Sequence, residues 1–108
     1  MMSLCSLPAA AQQQVDVEKD LGYCHRQVAR ALEGLKKNGG WDYTQMPRNI
    51  LSDDLKNGRK EWNCRPSTPE EWCGGFWPGV LWYDYEYSGE AYIGRQARNY
   101  TSSLAYLA

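Results

Sequence analysis

The residues with the most to offer chemically in this 108-residue chain form one run, Trp72-Cys73-Gly74-Gly75-Phe76-Trp77-Pro78-Gly79. A sugar ring has two apolar C–H faces and a rim of hydroxyls. An indole can stack on such a face, and glycine, lacking a Cβ, lets the backbone come close where a side chain would block it. The run offers indoles at Trp72 and Trp77, and Gly74 and Gly75 are the candidate positions of close approach. The same residues also read as packing at the start of a helix, with Phe76, Trp77 and Trp82 as its anchors.

Other groups with chemical potential are few. Asp53-Asp54 sits in a polar run and reads as solvated. Asp84 and Glu86 lie near the end of an aromatic segment. Neither pair is given a catalytic role. The single histidine, His25, falls on or at the edge of a solvated helix face and reads as solvated or locally hydrogen-bonded. Cys64 and Cys73 flank a Pro-containing loop and are either a disulfide or two thiols. Their spacing matches no zinc pattern, and nothing in the sequence points to a metal or an organic cofactor.

Composition narrows the function classes. Net charge is −1 with 23% charged residues, and no basic patch suggests nucleic acid. No apolar stretch approaches the ~20 residues of a membrane span. Five Trp and eight Tyr stand against one Phe. Tyr and Trp pair an apolar face with a polar handle, which suits either an aromatic-rich core or a half-wet surface such as a carbohydrate site. Met1 to Ala11, MMSLCSLPAAA, resembles the end of a signal peptide with Ala9-Ala10-Ala11 as a cleavage site, so export to the periplasm or the medium is expected. Its basic n-region is missing, as though the sequence began at an internal Met.

Three helices are expected to position these groups. Asp16 to Lys37 carries an apolar stripe of Val17, Leu21, Cys24, Val28, Leu32 and Leu35 at steps of three and four. Asp16 is its expected N-cap, and Asn38-Gly39-Gly40 its stop. Trp41 to Glu71 shows no sustained period, but its tryptophans argue for an ordered, packed loop. Gly75 to Tyr87 is apolar on nearly every side, the pattern of a helix buried all round. After the break at Ser88-Gly89, Glu90 to Ala108 carries Ile93, Ala97, Tyr100, Leu104 and Leu107 on one face. The short break makes these last two helices an αα-hairpin.

The segment from Pro69 through Trp82, PEEWCGGFWPGVLW, followed by Tyr85-Glu86-Tyr87-Ser88-Gly89, resembles the W-x-x-G-F-W-P-G-x-L-W and Y-E-Y-[ST]-G signature of glycoside hydrolase family 88, the unsaturated glucuronyl hydrolases. Met46-Pro47-Arg48 resembles the F-P-R found ahead of it. The likeness spans Val17 to Leu107. Gly74 stands where family members commonly carry Asp or Ser, and Cys73 where they often carry Thr, so a polar contact to substrate is lost.

The resemblance implies an all-α chain forming the first helices of an incomplete (α/α)6 barrel, with residues 12–108 as the N-terminal part of the hydrolase domain. It implies an unsaturated uronide oligosaccharide as substrate, with Trp72 lining the pocket. An Asp protonates the vinyl ether double bond, water adds at C5, the hemiketal opens and the glycosidic bond breaks. The catalytic Asp residues are expected beyond Ala108, because the family's H-D-x-G-F motif is absent from this chain. The competing expectations are a non-catalytic helical carbohydrate-binding or interaction module, and a related α/α-barrel hydrolase acting on unsaturated rhamnogalacturonan.

Overall fold

The computed structural model describes residues 14–59, 61–71 and 73–107. The described chain is mostly helical: α1 (Val17–Leu35), β1 (Met46–Asn49), α2 (Ser52–Lys56), β2 (Asn63–Arg65), α3 (Phe76–Ser88), α4 (Ala91–Ser102) and a 3-10 turn at Ala105–Leu107. The expected targeting segment, residues 1–11, lies outside the described residues. A closed barrel is not formed by these elements.

Helix α1 starts where expected, with the Asp16 carboxylate accepting from the Lys19 N–H at 3.0 Å. It stops two residues short of Lys37. The indole N–H of Trp41 donates to the Leu32 carbonyl at 2.8 Å, satisfying an acceptor of the last turn. Asn38 and Gly39, both with positive φ, then turn the chain back.

The α3–α4 hairpin is the most closely packed pair. Gly89 ends α3 in the left-handed region (φ 68°), and its N–H donates to the Tyr85 carbonyl. Gly94 on α4 gives the two helices their close approach, because a Cβ there would lie 2.8 Å from Tyr85 Cε1. Helix α4 ends at Ser102, earlier than the apolar spacing predicts. The Ser103 hydroxyl then reaches the carbonyls of Tyr43 and Tyr100 at 2.6 and 2.7 Å, so a local side-chain bond replaces the next helical turn.

The core gathers Val28 and Leu32 from α1, Met46 from β1, Leu81 from α3, and Ile93, Ala97 and Tyr100 from α4. Leu81, Ile93 and Ala97 are wholly buried. Two expectations need correcting here. The segment that lacks periodicity is not all loop, since within an otherwise helical chain β1 and β2 pair antiparallel there. And α3 is not buried all round. Only Pro78, Leu81 and Asp84 are buried, whereas Phe76 is 60% and Tyr83 78% exposed. Helices α1 and α4 each cover one side of α3, and much of its remaining surface is open. The first half of the α1 stripe is likewise bare at Val17 and Leu21.

Gly94→Ala is expected to destabilise the chain by about 1–3 kcal/mol through overpacking against Tyr85. In a double-mutant cycle read by urea midpoints, Tyr85→Ala should remove most of that cost. A cost that persists in the Tyr85→Ala background would mean that the contact is not the cause.

Candidate functional site

The strands bring the irregular segment against the start of α3. Pro47 faces Cys64 and Asn49 faces Asn63, so Arg48 is the extra residue of a bulge. A bulge takes its residue out of the ladder and re-aims the side chain. The Arg48 guanidinium donates to Glu71 at 2.6 Å, and Arg65 from β2 donates to the other oxygen of the same carboxylate at 2.7 Å. The Arg48 bond holds the Glu71 carboxyl below its ordinary range and raises the guanidinium in turn.

A groove of about 280 Å³ lies between this sheet and α3. That is near the lower edge of small-molecule sites, ~300 Å³. Trp62, Phe76 and Val80 form apolar walls, Met46 lies at the base, and Arg48 stands at the rim. Ser67 and Trp77 also line it. The Ser67 hydroxyl and the Trp77 indole N–H are buried without a hydrogen-bond partner among the described residues. Both atoms are closed off from solvent, and the Trp77 N–H lies toward the Tyr100 hydroxyl, so neither is presented to the groove. No acid lines the groove among the described residues. A larger hollow of about 480 Å³ opens on the other side of Trp62 and has Tyr100 at its wall.

Of the residues expected to bind substrate, Trp72 lies outside the described residues. Gly74 and Gly75 part company. Gly74 is buried, and a Cβ on it would come within 3.0 Å of the Ser67 hydroxyl and 3.1 Å of Ser67 Cβ. Its missing side chain makes room for Ser67. Gly75 is exposed, and a Cβ there would meet nothing within 4 Å. Trp62 lines the groove, a place that the sequence reading did not give it. It sits in a stretch with no period, and only its large, isolated indole could have drawn notice.

The remaining chemical groups are accounted for elsewhere. Cys64 and Cys73 are thiols, and burial pushes the Cys64 thiol up. Asp54 pairs with Arg59 at 3.0 Å. Among the described residues no cluster of three or more His, Cys, Asp or Glu could hold a metal ion. No described helix is long and apolar enough to cross a membrane.

His25 departs from its expected role as a solvated or locally bonded residue. Its Nδ1 lies 2.8 Å from the buried Asp84 carboxylate on α3, and its Nε2 lies 3.2 Å from Glu90 ahead of α4. The Asp84 hydrogen bond raises its pKa above the usual value. With both ring nitrogens engaged, it ties three elements together and leaves none free to move a substrate proton.

Comparison with known proteins finds no family model, curated protein or solved structure that matches this chain.

Two predictions follow from this geometry. Gly74→Ala should cost about 1–3 kcal/mol in denaturant unfolding by pushing Ser67, and Gly75→Ala within about 0.5 kcal/mol. Equal costs would show that Ser67 yields freely. For His25, the raised native pKa means that its stabilisation is full below the unfolded value of ~6.5 and is lost as pH climbs through the native value. The thermal midpoint should fall across that window in the native chain and not in His25→Gln. A parallel fall in both would rule His25 out as the source.

Proposed function

We propose that this chain supplies one sugar-stacking wall of an exported α/α-barrel glycoside hydrolase of the unsaturated glucuronyl hydrolase type. In that reading the protein releases Δ4,5-unsaturated uronic acid from oligosaccharides left by polysaccharide lyases. The single observation that carries it is the groove at the start of α3. It has aromatic walls from Trp62 and Phe76, with the donors of the Arg48 guanidinium at its rim. Apolar faces with a few convergent donors are what a sugar ring requires. The run Trp72 to Trp82 and the hairpin that follows carry the family likeness.

The groove binds and orients; it does not supply an acid. Its described lining holds no carboxylate, and the nearby Glu71 is shared by two guanidinium groups. The proton donor for the vinyl ether therefore comes from outside these residues. The same absence favours a second reading, a binding module whose partner is an oligosaccharide and which carries out no reaction.

Titration with an unsaturated chondroitin disaccharide, followed by tryptophan fluorescence, tests the shared part. Saturable quenching is expected, with Trp62→Ala weakening binding about tenfold, ~1.4 kcal/mol. No quenching at millimolar sugar would reject both readings. Loss of the unsaturated chromophore with a form of the protein extended past Ala108, and not with the 108 residues alone, separates the hydrolase from the module. Turnover by the 108 residues alone would contradict the division of labour.

A further inference from the structure

A second, shallower hollow adjoins the groove and shares Arg48 and Cys73 with it. Its other lining residues are Asn49, Asn63 and Arg65, so it too holds no acid among the described residues. Two guanidinium groups meet there over a single carboxylate. Each spends one nitrogen on Glu71, Nη1 of Arg48 on one oxygen and Nη2 of Arg65 on the other. A guanidinium carries five N–H donors in a fixed fork, so among the described residues most of the donors on both side chains have no protein acceptor. The local charge is one positive unit in excess.

Resting on the reading of the groove as a sugar site, we propose that Arg48 and Arg65 form an oxyanion subsite, holding a carboxylate or sulfate borne by the sugar whose ring lies against Trp62 and Phe76. The bulge is what makes this possible. As the extra residue of β1, Arg48 stands on the ridge between groove and hollow and can reach into either. Glu71 fixes both guanidinium groups in place while leaving the charge unbalanced. That is the arrangement of a preorganised anion site. The Asn63 side chain donates to Asn49 at 3.1 Å, which holds the floor of the hollow and places further amide groups at its edge.

The test uses an unsaturated chondroitin disaccharide, its 6-sulfated form and the carboxyl methyl ester of each, titrated calorimetrically against the native chain and against Arg65→Gln and Arg48→Gln. Arg65 is 59% exposed, so its replacement leaves the core intact, and circular dichroism checks the fold of both variants. Binding about tenfold weaker on loss of the anion is expected, the size of one charge-assisted contact. The anion preference should shrink with added salt and vanish in either variant, while affinity for the neutral ester stays unchanged. Weakening on esterification identifies the carboxylate as the anion held, and weakening on loss of sulfate identifies the sulfate. Affinity for the native chain that changes neither on esterification nor on loss of sulfate would overturn the proposal. So would an equal loss of affinity for the acid and the neutral ester in Arg65→Gln, which is the mark of a structural role. If no disaccharide binds, the sugar reading fails by itself, and inorganic sulfate becomes the probe. Sulfate-dependent shifts of the Arg48 and Arg65 side-chain N–H signals in NMR would keep the anion subsite, and their absence would reject it.

Discussion

Tyr100 is the point on which the arrangement turns. It is 1% exposed and is among the largest fully buried side chains. Its ring meets Tyr43 edge-on at 5.0 Å and Trp77 edge-on at 5.9 Å, the geometry that aromatic quadrupoles favour. Those two contacts join α4 to the irregular segment on one side and to the start of α3 on the other. Tyr43 is fixed further by its hydroxyl donating to the buried Gln96 at 2.9 Å and by its carbonyl accepting from Ser103. Once Tyr43 is set, Met46 drops into the core three residues later, and the bulge at Arg48 follows directly. The groove thus has both walls referred to one ring. Burial pushes the Tyr100 hydroxyl up to about 12, so it remains neutral at any ordinary pH. Trp77 Nε1 lies near enough to influence that hydroxyl, yet outside hydrogen-bond geometry. This is how a donor beside so polar a neighbour remains unpaired.

The second constraint is a charge placed on an apolar helix. Asp84 is the one acid buried on α3, and its side chain is 5% exposed. A carboxylate in that position is tolerable only when paired and hydrogen-bonded. His25 meets that need from α1, with Glu90 at its second nitrogen. An apolar contact between α1 and α3 could slide by a turn with little loss, since the stripe repeats. The histidine contact cannot, because only one register brings the imidazole to the carboxylate. The pair therefore selects the packing of α1 rather than driving it, and the driving force comes from Val28 and Leu32.

What the sequence made legible follows from period and capping. The Asp16 cap, the α1 face from Val28 to Leu35, the Gly89 break and the α4 face through Tyr100 are all local signals, and the structure has them. What was not legible depends on pairs far apart in the chain. His25 and Asp84 are separated by 59 positions, and no periodic argument links them. The β1–β2 pairing was hidden for a related reason. Four- and three-residue strands are too short to show alternation, and Pro47 within β1 counts against a strand by propensity. It survives because this is a two-stranded sheet in which each strand has a free edge. The exposure of α3 illustrates the opposite failure. An all-round apolar pattern tells what a helix could bury, but exposure depends on which neighbours are within reach.

The candidate site shows where local rules give way. Its wall, rim and base come from departures: an extra residue at Arg48, a glycine at position 74 and a tryptophan, Trp62, in a stretch without period. Each departure has a separate consequence. The bulge carries a guanidinium out of the ladder to the rim. The glycine admits Ser67 so closely that its hydroxyl has no room for a protein partner on that side. The tryptophan borders three hollows at once, the groove among them. Consistency between local preference and global structure is the rule in folded chains, and sites are where it is relaxed. In this chain the relaxation is confined to the 40 residues between α1 and α3, and the helices on either side keep their regular packing. The groove is then a product of the connection, and the helices serve to hold its two ends at a fixed separation.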